Sequence, residues 1–380
     1  MEKKMTYAAV GVDYDAMDPF KRKAQLAGLK TVNSLKRFGF SEVGWSRGES
    51  CYLIDIGEAF LAHVEEGLGT KNLVADAFRG QMRIASAIQG VLGRTCYDQI
   101  AQDAVAMIVN DMITLGALPL SVAMHLAVGD SRWFDDEQRC HDLIDGWKKA
   151  CILVRCVWGG GETPTLKGII TPGTAVLSGS AMGIVKPRER LINPVNIQHG
   201  DAIIFLASSG IGANGLTMAR KIADNLPEGY LTRLSDGRMY GEVLLDPTHL
   251  YVAFIEQCLD LGIDINYAVN ITGHGWRKLM RAANPFTYVI EVLPKQLPIF
   301  DFIQAQGPVD DLEAYGNLNM GAGFTIYVPQ DDVPRIWDML KEHEMPFEVF
   351  YAGHIEKSDE KRVVIEPKGI EFVGATLGVR

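Results

Sequence analysis

The residues with the most chemistry to offer are polar side chains set where apolar ones belong. Glu66 and Lys71 close the turn Glu65-Glu-Gly-Leu-Gly-Thr-Lys71. A glycine-flanked turn carrying acid, hydroxyl and lysine can bring its backbone close to phosphates. The Gly-x-x-x-x-Gly-Lys spacing of a Walker A loop is missing, and a plain strand-to-helix turn explains the stretch equally well. Asp103, Asn110 and Asp111 lie inside an apolar stretch running to Pro119. There Ala104, Met107, Ile108, Met112 and Leu115 recur at helical spacing, which predicts a helix with one buried face, ended by Gly116. Ionised carboxylates enter a core only when paired with a cation or bound to metal. The plain alternative puts both aspartates on the wet side of the helix, one as its N-cap.

Two further glycine-rich turns carry donors. The expected strand Cys151–Trp158 ends on Gly159-Gly-Gly-Glu-Thr-Pro164, where Glu162 either binds metal or caps the next turn. Ser208-Ser-Gly-Ile-Gly-Ala-Asn-Gly215 follows the apolar run Asp201–Ala207 and precedes a helix from Leu216 through Ile222, an arrangement that suits an anion. Gly210, Gly212 and Gly215 match the Gly-x-Gly-x-x-Gly dinucleotide spacing. The acid-terminated second strand of that fingerprint is missing, because Asp224 to Gly229 reads as a polar turn. Thr272 is a candidate N-cap in Asn270-Ile-Thr-Gly-His-Gly275, and His274 stands between two glycines.

The elements that must position these groups belong to an ordinary globular chain. Its 380 residues are 47% hydrophobic and 22% charged, and two domains are the natural expectation. A formal net charge of −10 argues against a nucleic-acid or anionic-membrane partner and leaves room for an anionic small molecule. Six cysteines without a Cys-x-x-Cys pair read as reduced thiols of a cytoplasmic protein. No run approaches membrane-spanning length and no apolar leader follows Met1-Glu-Lys-Lys-Met5, so a soluble protein is expected.

In order, the chain predicts a basic helix over Phe20–Lys36 and a hairpin of Cys51–Ile56 with Ala59–Val64. Strands at Leu120–Val128 and Thr174–Ile184 flank a helix over Asp135–Lys149. The polar, irregular stretch Pro187–Gly200 marks a boundary between an N-terminal domain, 1–186, and a C-terminal one, 187–380. Beyond it, a helix begins near Pro247 and another spans Val333–Glu344. Strands are expected at Phe324–Val328, Phe347–Ile355 and Arg362–Ile365.

Taken together, the loops resemble the AIR synthetase (phosphoribosylformylglycinamidine cyclo-ligase) family. Gly11-Val-Asp-Tyr-Asp-Ala16, Glu66-Gly-Leu-Gly-Thr-Lys71, Asp103–Asp111, Gly160-Gly-Glu-Thr163, Ala207-Ser-Ser-Gly210 and Asn214-Gly215 fall in family order. So do Leu245-x-Pro-Thr248, Ile271-Thr-Gly273 and Asn319-Met-Gly-x-Gly323. The resemblance runs from Tyr7 to about Ile365. It implies a mixed α/β (α+β) fold of two domains, with an N-terminal mixed sheet forming a homodimer interface and a C-terminal α/β domain. It implies ATP and Mg2+ as cofactors and a phosphorylated ribonucleotide as substrate, whose amide oxygen is phosphorylated before the imidazole ring closes. Glu66, Asp103 and Asp111 are then the expected magnesium ligands. Gly67, Gly69, Thr70, Lys71, Asn110, Gly160, Gly161, Glu162 and Thr163 are expected around the nucleotide. Ser208, Ser209, Gly210, Asn214, Gly215 and Thr272 are expected around the substrate, with Lys71, Asn214 and His274 catalytic.

The pattern also departs from the family. Ile211-Gly-Ala-Asn-Gly215 stands where the family has Pro-His-Ser-Asn-Gly, so a histidine is missing at Gly212. Glu66 replaces an aspartate, Thr272-Gly-His-Gly275 replaces Thr-Gly-Gly-Gly, and Arg37-Phe-Gly-Phe40 thins a glycine-rich loop. His274 is a candidate to take over the missing histidine's acid-base or oxyanion-stabilising duty; the alternative is a cap or a filled pocket. Two other classes fit the departures: another ATP-using enzyme of the superfamily, such as a small-molecule kinase or synthetase, or a non-catalytic nucleotide-binding dimer.

Overall fold

The computed structural model describes residues 5–6, 8–11, 13–86 and 94–377. Tyr7 and Val12, which open the expected N-terminal motif, lie outside the described residues, as does 1–4. Helix α1 (Tyr14–Leu29) leads into strands β1 (Ser41–Glu42), β2 (Tyr52–Asp55) and β3 (Phe60–Gly67). Helices α2 (Lys71–Ser86) and α3 (Tyr97–Met112) precede β4 (Leu118–Val128). Helix α4 (Glu137–Leu153) then carries the chain to β5 (Val157–Glu162) and β6 (Ala175–Val185). The sheet order is β1-β2-β3-β6-β4-β5. Neighbours are antiparallel except β4 and β5, whose parallel pairing needs the α4 crossover.

Side-chain alternation sets the inner face. Along β6, Ala175, Leu177, Gly179, Ala181 and Gly183 are buried while Val176 and Met182 are exposed. Helix α3 packs across β3, β6 and β4, and α2 and α4 pack against α3.

A second sheet is built from β7 (Ala202–Ala207), β8 (Tyr267–Asn270), β9 (Phe286–Ile290), β10 (Ala322–Val328), β11 (Val349–Lys357), β12 (Arg362–Ile365) and β13 (Ile370–Val373). Its order is β13-β12-β9-β11-β7-β10-β8, with β9 and β12 the parallel pair. Every residue of β8 and β10 is buried, as expected of strands covered on both faces. Helices α5 (Leu216–Asn225), α6 (Tyr240–Leu244), α7 (Val252–Asp260), α8 (Pro298–Gln306), α9 (Asp311–Asn317) and α10 (Val333–Glu342) complete this half. Two sheets with their helices give the mixed α/β class that the family resemblance implied. Among the described residues, no helix is long and apolar enough to cross a membrane. All six cysteines are free thiols.

Several elements differ from expectation for physical reasons. Cys151–Val154 is not a strand. Leu143, Trp147, Ala150, Cys151 and Val154 are buried at helical spacing, so α4 runs to Leu153 and β5 waits until Val157. Gly159, Gly160 and Gly161 form no loop but lie within β5, where a Cβ on Gly161 would stand 2.0 Å from the Met124 carbonyl oxygen. The basic helix expected over Phe20–Lys36 divides into α1 and a 3-10 turn, Val32–Phe38. Pro247 starts no helix; α7 begins at Val252, and the residues before it run irregularly along α3. Helix α3 is buried nearly all round, not on one face, because the second half covers the side that the first sheet leaves open.

Candidate functional site

The polar residues of α3 do two different jobs. Lys71, the first residue of α2, is fully buried, and its ammonium lies 2.8 Å from Asp103 Oδ2. The same Nζ donates to the Asp246 carbonyl at 2.7 Å. Asp103 Oδ1 accepts from the Thr248 amide at 2.8 Å and from the Thr248 hydroxyl at 2.6 Å. Gln102 donates to the Thr248 carbonyl at 2.9 Å. Asn110 donates to the His249 carbonyl at 2.8 Å and accepts from the Tyr251 amide at 3.1 Å. Backbone groups of an irregular segment would be costly if buried unpaired, and here the side chains of α2 and α3 satisfy them. Lys71, Asp103 and Asn110 therefore bolt the second half of the chain to the first. Asp103 sits inside the helix, which begins at Tyr97, so it is no N-cap.

Asp111, two turns further on, faces a different space. A cavity of about 420 Å³ opens at the seam, with Glu65 and Glu66 at the end of β3 on one side and Asp111 beside them. Asp111 Oδ1 accepts from Asn270 Nδ2 at 2.7 Å. Burial and then the nearby Asp111 carboxylate push the Glu66 carboxyl up to about 7. Across the cavity stand His274, Lys278 and Arg281, on and beside the 3-10 turn Gly275–Met280. Residues three apart eclipse on such a turn, which sets Lys278 and Arg281 on one side. Helix α1 contributes Lys21 and Gln25, one helical turn apart, and the loop at Gly48–Ser50 brings Glu49. Arg281 pins that loop, donating to the Gly48 carbonyl at 2.7 Å and to Ser50 Oγ at 3.1 Å. Lys21, Glu49, Lys278 and Arg281 were not singled out by sequence reasoning. The signal available was the basic run Arg277-Lys278 with Arg281, just past the Ile271-Thr-Gly-His-Gly275 loop.

The remaining expected residues divide between seam and surface. Asn214 lines the cavity, as do Thr272 and His274. Thr272 is not a cap: its hydroxyl accepts from Lys278 Nζ, while His274 takes the N-cap position with φ 68° and no side-chain cap bond. Burial, then Arg277 and Lys278, drive the His274 imidazole down to about 3. The ring is neutral at neutral pH and offers hydrogen bonds, not a stored proton. Ser208 Oγ donates to Asn319 Oδ1 at 3.0 Å and Ser209 Oγ to the Pro247 carbonyl at 2.6 Å, so both hydroxyls are held internally. The space beside that loop, with Gly210 close by and Gly215 capping α5, is about 20 Å³, room for roughly one water. Gly67 ends β3, and Gly69 and Thr70 form the turn to Lys71, Gly69 with φ 74°. Gly160, Gly161, Glu162 and Thr163 are exposed on or just past edge strand β5 and do not line the seam cavity.

Among the described residues no group of three or more His, Cys, Asp or Glu side chains is arranged to hold a metal. Of the three expected ligands, Glu66 and Asp111 remain on one cavity, while Asp103 is paired with Lys71. Magnesium is commonly held by one or two carboxylates together with ligand phosphates, so the donor set fits it. A cation between Glu66 and Asp111 would offset both the burial and the Asp111 charge that raise Glu66.

Two mixed α/β halves meet on a buried polar helix, with a mixed-charge cavity at the seam. The profile for the N-terminal domain of AIR synthase related proteins matches residues 59–185, and that for the C-terminal domain matches 198–366. Phosphoribosylformylglycinamidine cyclo-ligase of Methanocaldococcus jannaschii is 34% identical over 326 residues, covering 85% of this chain and 84% of that one. The chain belongs to the phosphoribosylformylglycinamidine cyclo-ligase family. Solved structures of the same fold include a HypE-HypF complex, with a TM-score of 0.57, 15% identity and coverage of 86% of this chain and 92% of that one. Another is AaThiL complexed with AMPPCP and TMP, with a TM-score of 0.55, 14% identity and coverage of 85% and 89%. At such identities these two establish the fold alone.

Proposed function

We propose that the chain is an ATP-dependent cyclo-ligase of purine biosynthesis, closing formylglycinamidine ribonucleotide to aminoimidazole ribonucleotide in the seam cavity. One observation carries this reading. The family's two acidic motifs, at Glu66 and at Asp103–Asp111, deliver Glu66 and Asp111 to one cavity with Lys278 and His274 opposite. Glu66 and Asp111 would hold Mg2+, and bound ATP supplies the phosphoryl group that turns the formyl amide oxygen into a leaving group. The turn Gly67–Thr70 lies between Glu66 and the Lys71 anchor, where its amides suit phosphate. Asn214 and Thr272 orient the substrate, and neutral His274 donates a hydrogen bond to the oxygen that gains charge. Lys71, Asp103 and Asn110 keep this geometry by holding the two halves together. Walls drawn from both halves exclude water from a reactive phosphorylated amide.

The division at 187, between a nucleotide-binding and dimerising half and a C-terminal half, belongs to the same reading. So does a cytoplasmic homodimer built on the first sheet. Purified protein given Mg2+, ATP and formylglycinamidine ribonucleotide should release ADP only when all three are present. ADP release that ignores the ribonucleotide would overturn the reading.

A further inference from the structure

Among the described residues, Lys278 is the cation of the seam cavity that has neutral hydrogen-bond partners and no ion pair within 4.0 Å. The residue is 8% exposed. Its ammonium donates to the Asn270 carbonyl at 3.2 Å and to Thr272 Oγ1 at 2.5 Å. An ammonium has three donors, and these two acceptors carry no charge. Among the described residues no carboxylate forms an ion pair with it within 4.0 Å, although Glu66 and Asp111 line the same cavity. The other cations are engaged: Lys71 with Asp103, Lys21 with Asp18 at 3.0 Å, and Arg281 with the Gly48–Ser50 loop and Glu49. A buried ammonium without a counter-ion is costly, and an anionic ligand removes that cost. Glycines on both sides of His274 let the chain turn tightly enough to aim the following residues into the cavity.

We propose that Lys278 is a phosphate-binding residue, its third N–H donating to a phosphate oxygen of the bound ligand. It takes the part that the sequence suggests for Lys71, whose ammonium is spent inside the protein. The proposal rests on the nucleotide-site reading above and adds a residue that reading leaves unassigned. The phosphate belongs either to the nucleotide or to the ribonucleotide substrate, and binding measurements separate the two.

The test is calorimetric binding of Mg-AMPPCP and, separately, of formylglycinamidine ribonucleotide to the full chain and to Lys278→Met and Lys278→Arg. Loss of a charged hydrogen bond should weaken one of the two ligands by roughly 10- to 100-fold in the methionine variant. Arginine should restore most of that loss. Weakening of the AMPPCP arm assigns the residue to the nucleotide, and weakening of the other arm to the ribose phosphate. Either supports the proposal. Unchanged affinity for both ligands in a folded Lys278→Met protein overturns it. Should methionine prevent folding, Lys278→Gln carries the same comparison. A wild-type chain that binds Mg-AMPPCP but makes no imidazole product overturns the cyclo-ligase reading and leaves Lys278 standing. A wild-type chain that binds neither ligand overturns both.

Discussion

Lys71 and Asp103 are polar residues whose meaning changes with their partners. Their types mark them as exceptional in an apolar setting, and the structure pairs them with each other and with Thr248 and Asp246. The sequence could not reveal this, because the partners arrive from a segment more than 140 positions away along the chain. Removing one member of a buried pair strands the other charge. Lys71→Met should therefore cost about 3–5 kcal/mol, read as a lowered denaturant midpoint. Lys71→Met combined with Asp103→Asn should cost less than the two single losses added together, since no charge is left stranded. Additive losses would contradict the pairing. His274 gives a pH signature. Its folded-state pKa is depressed, so the unfolded chain takes up a proton below about 6.5 while the folded chain does not until about 3. Stability from this group is full above about 6.5 and is lost as pH falls. The loss should reach roughly 2 kcal/mol by about pH 5. In a His274→Asn variant, melting followed between those pH values should lose that part of the slope; an unchanged slope would place the effect elsewhere.

Helix α3 and the β8-to-turn connection show how elements position the cavity. Periodicity foretold α3, which ends at Met112 and passes through a 3-10 turn to Gly116, whereas the expected Gly159–Gly161 loop lies inside β5. Helix α4 and β5 were misjudged because a continuous apolar run reads alike as buried strand or buried helix. The short helices α8 and α9 left no sign strong enough to register. Gly275 supports the turn that bears Lys278. It has φ 49°, and a Cβ there would stand 2.4 Å from the Tyr315 carbonyl oxygen. Gly275→Ala should destabilise by about 1–3 kcal/mol and weaken ligand binding together with it. Gly80 in α2 is the opposite case: a Cβ added there would meet nothing within 4 Å, and the backbone is ordinary helix. Gly80→Ala should stabilise by about 0.5–1 kcal/mol, measured by the same denaturation curve.

At the scale of the molecule, the family resemblance implied two α/β halves, whereas the seam between them was not legible. A seam is made of contacts between distant segments, and neither composition nor periodicity encodes which distant segments meet. The outer face of the first sheet leaves Leu120, Val176 and Met182 exposed. Apolar strands open to water invite a partner. On the homodimer reading, sedimentation at micromolar concentration should give a dimer and Met182→Lys should shift it toward monomer. A monomeric wild type would contradict the assembly. The central claim, that the seam cavity closes an imidazole by phosphorylating an amide oxygen, has a more direct test. Formylglycinamidine ribonucleotide labelled with heavy oxygen in its formyl group is turned over with Mg2+ and ATP, and the products are analysed by mass spectrometry. The account predicts aminoimidazole ribonucleotide in equal amount to ADP, with the label in inorganic phosphate. Unlabelled phosphate, or ADP formed without the imidazole, would contradict it.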